Sequence, residues 1–396
     1  MSGAAAQSQT AKPAAWLTPA RLVMAMFFVQ AVALNNWFPR IPDVQAQLGI
    51  GPAELAIALL AMPIGGFIAT MLTARIIERL SARRTILLGF LVYLAMQLLP
   101  GWAWSVPSLF AALFLMGASY VAVDVATNVE ATRVQDAIGR RILSTCHGFW
   151  SLGSMVGLVM GAGFAQAEIG TRWHLLIVAV AIAPIGVAFT RRLPVFPRAL
   201  DIDTARTPMI TLPTASMAGL CIFAFGVILT ELTTRNWGAV YLREVLGASA
   251  AATGVGYGAF SVGMAVFRFT GDRLADRFGP VLLGRFCGIM AVAGVLAVIL
   301  AGNLAIAVAG FAALGIGVSV GYPLAVSAAA ALGDRSPAAN VASLSLIAYT
   351  GSLVGPPLVG FVAQGAGLRW GLAAIVPLMV LSALFAGSLR RRSAPG

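Results

Sequence analysis

The chain has 396 residues, of which 59% are hydrophobic and only 10% are charged, whereas a soluble domain carries about 25% charged residues. The net charge of +12 would suit a nucleic-acid-binding protein, but the arginines sit at predicted helix ends and form no basic stripe among exposed aromatic residues. An ordinary soluble domain and a nucleic-acid partner are therefore excluded. The three cysteines lie in apolar segments without metal-ligand spacing, so we predict neither a metal site nor disulfides.

Twelve apolar segments follow one another along the chain, and at about 20 residues each is long enough to cross a bilayer as a helix. Turn signals such as Gly51-Pro52 and Gly279-Pro280 separate them. The segments lie near 20–47, 53–79, 84–103, 106–131, 141–167, 171–191, 211–243, 249–273, 280–300, 303–331, 338–365 and 369–389. The shorter alternating pattern of membrane strands is absent. The sequence therefore predicts an all-α membrane protein with twelve transmembrane helices.

The second half of the chain repeats the first at an offset of 198 residues, which is half of 396. Residues 75–79 (RIIER) reappear at 273–277 (RLADR), and residues 153–157 (GSMVG) reappear at 351–355 (GSLVG). A repeat of this length in an apolar chain is typical of transporters built from two related halves. We therefore predict two homologous six-helix bundles with a site between them near the middle of the membrane.

Polar segments set the domain boundaries and the orientation. We predict a disordered cytoplasmic tail at 1–18, bundles at 19–191 and 211–389, a cytoplasmic linker at 192–210 and a cytoplasmic tail at 390–396. With both termini in the cytoplasm, 21 of the 26 Lys and Arg residues, including Arg268, fall on the cytoplasmic side. The far side receives Arg40, Arg172, Arg235, Arg243 and Arg369. This bias predicts a multi-pass protein of a bacterial inner membrane.

Acidic and arginine residues cluster near the cytoplasmic ends of predicted helices 2, 4 and 8. Pairs between such residues can hold one conformation shut, so we expect them to form a gate. The candidate gate residues are Glu78, Arg79, Glu130, Arg133, Asp272, Arg273, Asp276 and Arg277. The alternative is a charge cluster that only sets the topology. The loops after helices 2 and 8 resemble the signature loop of the major facilitator superfamily, although the first has Ala74 and Ser81 where glycines are usual, which predicts a weaker gate.

Polar side chains inside the predicted helices mark a candidate site. An ionisable group in a membrane helix is costly unless it faces a cavity or a partner, so we expect Asp124, Glu231 and His147 to take part in proton coupling, with Asp124 first. Amides, hydroxyls and tryptophan suit a polar, hydroxyl-rich solute. The candidate substrate-binding residues are Gln30, Asn35, Asn36, Trp37, Tyr120, Asn128, Trp150, Asn236, Trp237, Tyr257, Tyr322 and Tyr349. The alternatives are an ion pair between Glu231 and Arg235 and a packing role for His147.

Small residues at spacing four mark predicted helices 5 and 11. These residues are Gly153, Gly157, Gly161, Gly351, Gly355 and Gly360. Glycine rows let helix backbones approach closely, so we expect packing seams between the two halves here and not ligand sites.

Four segments resemble one branch of the superfamily. They are residues 36–43 (NWFPRIPD), 124–128 (DVATN), 144–153 (STCHGFWSLG) and 268–273 (RFTGDR). They are similar to YbjJ/MosC-like transporters, which are related to the fucose permease. The resemblance implies the twelve-helix major facilitator fold and proton-linked transport of a small polar compound. It also implies embedded carboxylates on helices 1 and 4. Asp124 matches the helix 4 position, whereas helix 1 carries Asn35 and Asn36 in its interior.

These features together predict a secondary active transporter that moves a sugar-like or cyclitol-like solute, coupled to protons, by alternating access. The sequence contains no ATP-binding loop, catalytic triad order or dinucleotide fingerprint, so we predict neither an enzyme nor a cofactor. The expected partners are a small-molecule substrate, protons and the lipid bilayer, and we expect a monomer. The alternatives are an efflux antiporter for drugs or metabolites and a membrane sensor that transports nothing.

Overall fold

The computed structural model describes residues 18–140, 142–196 and 212–390. Three of the predicted segments therefore lie wholly or mostly outside the described residues. They are the tail at 1–18, the linker at 192–210 and the tail at 390–396, of which only Thr18, residues 192–196 and Arg390 are described.

Twelve helices in the described residues are long and apolar enough to cross a membrane, which confirms the predicted fold class. The first six are α1 Pro19–Leu48, α2 Pro52–Leu80, α3 Ala82–Trp102, α4 Val106–Ile138, α5 Leu143–Gln166 and α6 Thr171–Arg192. The second six are α7 Ala215–Leu246, α8 Ala250–Phe278, α9 Pro280–Ile299, α10 Leu304–Ala330, α11 Pro337–Ala366 and α12 Leu368–Leu389.

Several of these helices contain a short interruption, and the one in α1 is next to prolines. In α1 an α-helix runs over Pro19–Asn35, a 3₁₀ turn follows at Phe38–Arg40, and a second α-helix covers Ile41–Leu48. Proline cannot donate the backbone hydrogen bond that a continuous helix needs, and both segments after the break have a proline in their first turn. The break turns Arg40 and Asp43 toward the neighbouring helices.

The 198-residue repeat reappears in the packing. A Cβ at Gly117 of α4 would collide with the carbonyl oxygen of Met62 in α2, and one at Gly315 of α10 would collide with that of Phe260 in α8. Both pairs are related by the same offset, because Gly315 follows Gly117 and Phe260 follows Met62 by 198 positions. Each half therefore repeats the same close helix contact, as expected for two homologous bundles.

The turns after α2 and α8 have the same backbone conformation, which strains the first turn. Ser81 has φ 76° and ψ 154°, and Gly279, 198 residues later, has φ 80° and ψ 153°. Only glycine adopts this region without strain. The departure from glycine at Ser81 therefore leaves the turn conformation unchanged and puts a strained serine in it.

The glycine rows of α5 and α11 pack mainly inside each half, so the prediction of seams between the halves is wrong for most of them. A Cβ at Gly157 would lie 2.6 Å from the carbonyl oxygen of Val32 in α1, and one at Gly355 would lie 3.1 Å from Oγ1 of Thr233 in α7. Gly360 is the exception, since it faces the carbonyl oxygen of Pro52 in the other half at 2.7 Å. The glycine spacing predicted that another helix packs closely against α5 and α11, but it could not show which helix this is.

The two halves meet through α5 against α8 and α2 against α11. Because twelve spans alternate in direction, Thr18 and Arg390 share one face, here called the terminal face, and the turn between α1 and α2 lies on the other, the opposite face. Gln166 accepts a hydrogen bond from the backbone of Ala251 at 2.9 Å, joining the halves at the opposite face. Nearer the middle, the hydroxyls of Thr70 and Tyr349 lie 3.0 Å apart.

Candidate functional site

A cavity of about 280 Å³ lies between the two halves. Helices α1, α2, α4 and α5 of the first half and α7 and α11 of the second contribute to its wall. The polar and aromatic side chains in that wall are Phe38, Tyr120, Trp150, Glu231, Arg235, Asn236, Tyr349 and Ser352. Five of them, Tyr120, Trp150, Glu231, Asn236 and Tyr349, are candidates from the sequence, so the structure gathers a third of the fifteen predicted proton-coupling and substrate-binding residues at one place.

Glu231, at the middle of α7, is held by two arginines. Its Oε1 lies 3.1 Å from Nη2 of Arg235, one helical turn away, and its Oε2 lies 3.4 Å from Nη2 of Arg268 on α8. The alternative of an ion pair between Glu231 and Arg235 is thus realised, and Arg268 enlarges it. Arg268 also donates from Nε to the carbonyl oxygen of Ser319 at 3.0 Å, which fixes its guanidinium against α10.

Arg235 joins the two halves at this level. Its Nη1 donates to Oδ1 of Asn35 on α1 at 2.9 Å, and its guanidinium carbon lies 5.4 Å from the centre of the Trp150 ring. Tyr257 donates its hydroxyl to the backbone carbonyl of Arg235 at 2.6 Å and so ties α8 to α7. The prediction that Arg235 lies at the far membrane face is wrong, because the side chain is only 8% exposed and bonds to interior groups.

Asp124, the first candidate for proton coupling, has a different environment. Its carboxylate accepts a hydrogen bond from the side-chain amide of Gln30 on α1 at 3.3 Å. Gln30 in turn lies 3.5 Å from the hydroxyl of Thr127. Within the described part of the chain, no arginine, lysine or histidine forms an ion pair with Asp124. A neutral amide is therefore its partner, one turn of α4 from Tyr120, which lines the cavity.

The aromatic pair at the cavity wall is fixed by its own hydrogen bond. The indole Nε1 of Trp150 donates to the hydroxyl of Tyr120 at 2.9 Å, which joins α5 to α4. Tyr120 also packs edge-on against Tyr93, with ring centres 5.5 Å apart. These contacts hold a flat apolar surface beside the guanidinium of Arg235.

The other sequence candidates lie outside the cavity wall. Trp37 and Trp237 are almost completely buried in the helix packing, and the side chains of Asn36 and Asn128 donate to carbonyls of their own helices. The hydroxyl of Tyr322 lies 3.4 Å from that of Ser345. No observation tests a substrate contact for these residues, so their roles stay predictions.

His147, on the terminal-face half of α5, is solvent-accessible in the structure and packs edge-on against Phe27, with ring centres 5.2 Å apart. This contact fits the packing alternative, but it does not test proton coupling.

The gate candidates lie at the terminal-face ends of α2, α4 and α8. The side chains of Glu78, Arg79, Arg273, Asp276 and Arg277 are exposed there, and Arg133 is half-buried. Glu130 is 1% exposed, and its Oε1 has no hydrogen-bond partner among the described residues. Asp272 belongs to α8, although its side chain is not described. The gate role of these eight residues stays a prediction.

A second charged group, not predicted from the sequence, closes the opposite face. Asp43 pairs with Nε of Arg40 at 2.6 Å and also with Arg243 at the end of α7 in the other half. Arg40 donates in addition to the carbonyl oxygen of Ile169 at 2.9 Å and to the hydroxyl of Thr171 at 3.1 Å. Asp43 and Arg243 are 200 residues apart, and only the fold brings them together.

Arg235 and Arg268 are the site residues that sequence reasoning missed. Both were assigned to membrane faces because arginine is common there. Counting residues from the helix end would have corrected the placement of Arg268. It lies ten residues before the end of α8 at Phe278, or about 15 Å along the helix axis. Position four after Glu231 was a further signal for Arg235.

A larger cavity of about 350 Å³ lies at the terminal-face end of α8, lined by Phe278, Pro280, Arg285 and their neighbours. It is not between the halves, and its arginines lie at the surface. We therefore place the candidate site at the interior cavity, where paired charges and fixed aromatic rings converge.

Comparisons with known proteins agree with this architecture. The family model of the Major Facilitator Superfamily matches residues 23–234 and again residues 211–396. The chain belongs to the Major Facilitator Superfamily. It is thus a membrane transporter of the major facilitator type, and its two matched units correspond to the two bundles.

Two relatives show how far the sequence similarity extends. The chain is 31% identical to the transporter y4wD of Sinorhizobium fredii over 356 residues, which cover 89% of this chain and 93% of the relative. It is 27% identical to the membrane protein MosC of Rhizobium meliloti over 366 residues, which cover 91% of this chain and 88% of the relative. The similarity therefore spans almost all of each protein.

Solved structures share the fold at lower identity. The nucleoside transporter NupG superposes with a TM-score of 0.73 at 14% identity, over 94% of this chain and 98% of NupG. The fucose:proton symporter FucP of E. coli gives a TM-score of 0.61 at 19% identity, over 94% of this chain and 99% of FucP. At these identities the likeness shows the fold alone.

Proposed function

We propose that this major facilitator transporter carries a small polar, sugar-like or cyclitol-like solute by alternating access, and that a proton bound by Asp124 drives the transport. The observation that carries the proposal is the difference between the two embedded carboxylates. Glu231 pairs with two guanidinium groups, whereas the partner of Asp124 among the described residues is the neutral amide of Gln30. An embedded carboxylate without a cation is costly as an anion, so a proton can supply the balancing charge.

The cavity wall supports the polar solute. Trp150 and Tyr120 provide a flat apolar surface, and Asn236 and Tyr349 provide an amide and a hydroxyl at the same cavity. Such a wall suits a ring that carries hydroxyl groups. The names of the structural neighbours point the same way, because fucose is a sugar and a nucleoside contains one.

The contacts between the halves support alternating access. Asp43, Arg40 and Arg243 close the opposite face below the cavity. We propose that the acidic and arginine residues at the ends of α2 and α8 close the terminal face in the other state. We also propose that the terminal face is cytoplasmic and the membrane a bacterial inner membrane, since most arginines lie on that side. We also propose that the protein acts as a monomer, since one chain supplies both halves of the cavity wall.

Proton coupling can be tested in vesicles that contain the purified protein and an internal pH-sensitive dye. Fucose, uridine, myo-inositol and D-glucuronate are added outside, one at a time. We expect at least one of them to carry protons inward with the wild type. Asp124→Asn should abolish this proton movement, and Asp136→Asn, an exposed carboxylate on the same helix, should not. A solute that enters without any proton movement would exclude coupling, and a vesicle that takes up none of the four would count against the solute class.

A further inference from the structure

The charges at and beside the interior cavity balance only while Asp124 is ionised. Two guanidinium groups, those of Arg235 and Arg268, share the one carboxylate of Glu231. Asp124 is bonded to Gln30 and forms no ion pair with either arginine in the described residues. When Asp124 carries a proton, as proposed above, these four side chains sum to one positive charge. An uncompensated charge inside a membrane protein is costly, so a bound anion would stabilise the site.

Arg268 is the arginine with donors to spare. Arg235 is 8% exposed and uses its guanidinium on Glu231, Asn35 and Ser154. Arg268 is 27% exposed and donates to Ser319 and Glu231 only, so in the part of the chain that the structure describes its Nη1 has no acceptor. A guanidinium has five N–H donors, and at least two of those of Arg268 have no acceptor among the described residues.

We propose that the transported solute is an organic anion, and that Arg268 binds its carboxylate or phosphate group. The inference rests on the transport function proposed above and narrows its substrate class. Guanidinium matches these groups because its planar fork can donate two parallel hydrogen bonds to two oxygens. Ser319 and Glu231 hold the fork in place before the solute arrives. Glu231, the partner of Arg268, lies on the wall of the same cavity as Trp150 and Tyr120, so this aromatic pair is placed to receive the ring of the solute.

The excess positive charge of the site makes it selective for an anionic solute. A cationic solute would meet Arg235 on the cavity wall and Arg268 beside Glu231, and like charges oppose binding. A neutral solute would leave the extra positive charge uncompensated. An anion replaces the negative charge that Asp124 loses when it is protonated. The site therefore has the same net charge when it is empty with Asp124 ionised and when it holds the anion and the proton.

The test uses one ring with different charges. Thermal unfolding of the purified full-length protein is measured with D-glucuronate, D-glucose 6-phosphate, D-glucose and D-glucosamine, at constant pH and ionic strength. A ligand that binds only the folded protein raises the unfolding midpoint. We expect one or both anions to raise the midpoint, and the neutral and cationic sugars to leave it unchanged. Comparing the carboxylate with the phosphate shows which group Arg268 accepts.

Two variants assign the effect to Arg268. Arg268→Gln should weaken anion binding by about tenfold or more, as expected for the loss of charge-assisted hydrogen bonds. Arg268→Lys, which keeps the charge and serves if the glutamine variant does not fold, should retain part of it. Arg285→Gln, a surface control, should bind like the wild type. The proposal is wrong if glucose or glucosamine stabilises the protein as well as the anions do, if no anion stabilises it, or if Arg268→Gln binds the anions unchanged. A neutral solute that is carried with protons would overturn this inference and leave the proposed function standing.

Discussion

Asp124 and Glu231 are both carboxylates near the middle of membrane-spanning helices, one in each half of the transporter, yet their neighbours differ. Asp124 on α4 meets the amide of Gln30 at 3.3 Å. Glu231 on α7 meets two guanidiniums, at 3.1 Å and 3.4 Å. Among the described residues the first has no partner that supplies charge, and the second has more positive charge beside it than it can neutralise. In the proposals above, one half therefore supplies the carboxylate that carries a proton, and the other supplies the carboxylate that holds an anion-binding arginine.

The largest effect should come from removing Arg235. Arg235→Gln removes the hydrogen bonds that the guanidinium donates to Glu231 and to Asn35 of the other half, and each buried acceptor left without its donor costs about 1–3 kcal/mol. We expect the free energy of unfolding in detergent to fall by about that amount, with loss of solute binding. Arg285→Gln, at the surface, should change it by less than about 0.5 kcal/mol. Equal small effects from both variants would show that the cluster does not stabilise the fold.

The closure of the opposite face should be the next most sensitive feature. Asp43→Asn removes the one carboxylate that Arg40 and Arg243 share, so the halves should separate at that face. Spin labels at Trp104→Cys and Leu300→Cys, which are 81% and 74% exposed, report the separation by electron–electron distance measurement. The native cysteines Cys146, Cys221 and Cys287 are buried and should label poorly. An unchanged distance distribution would show that Asp43 does not hold this face closed.

The proposed gate at the terminal face should respond in the opposite direction. Asp276→Asn keeps the shape of the side chain and removes its charge, so any latch that it forms in the other state weakens. The population closed at the opposite face should then grow, and the longer distances between the same two labels should become rarer. A distribution identical to that of the wild type would leave the acidic and arginine loops as topological signals only.

The turns at Ser81 and Gly279 give a smaller prediction. The first turn is strained and the second is not, so exchanging the two residue types should have opposite effects on stability. Ser81 and Gly279 share one backbone conformation, which costs about 1–3 kcal/mol for a residue other than glycine. Ser81→Gly should therefore raise the free energy of unfolding by about 1 kcal/mol, and Gly279→Ser should lower it by at least as much. Changes of the same sign in both variants would contradict the strain at Ser81.

The smallest effect should come from Asp334, in the turn before α11. Hydrogen bonds from Ser216, Thr214 and Asn340 hold the pKa of this exposed carboxyl well below its usual range. Its ionised form therefore stabilises the fold at neutral pH, and this contribution is lost as the pH falls below the usual value of about 3.9. The unfolding midpoint of Asp334→Asn should lie slightly below that of the wild type at pH 7, and the difference should shrink in acid. A difference that grows in acid would give the wrong sign.

The fold was predictable because its signals are local or repeated. Apolar runs gave twelve helices, and the 198-residue offset gave two bundles. The candidate site was predictable in part, since Tyr120, Trp150, Glu231, Asn236 and Tyr349 reach one cavity. Periodicity shows which side chains share a helix face, but it does not show which helix lies opposite.

The parts of the site that could not be predicted are contacts between segments that are distant in the sequence. Arg268 reaches Glu231 across 37 residues, and Arg243 reaches Asp43 across 200. Arginines were placed at membrane faces on their average preference, which an interior ion pair overrides. The glycine rows showed the same limit, because the row on α5 packs on α1 of its own half, while other residues of α5 contact α8 across the interface.

Accumulation driven by a pH gradient tests the central claim, that Asp124 carries the proton and Glu231 does not. Vesicles with the wild type, Asp124→Asn or Glu231→Gln receive a solute that the wild type transports, and both exchange at equal pH and accumulation against a gradient are measured. We predict that Asp124→Asn keeps exchange and loses accumulation, whereas Glu231→Gln loses both because the arginine cluster falls apart. Accumulation that persists in Asp124→Asn, with Glu231→Gln keeping exchange alone, would move the coupling site to Glu231 and contradict the account.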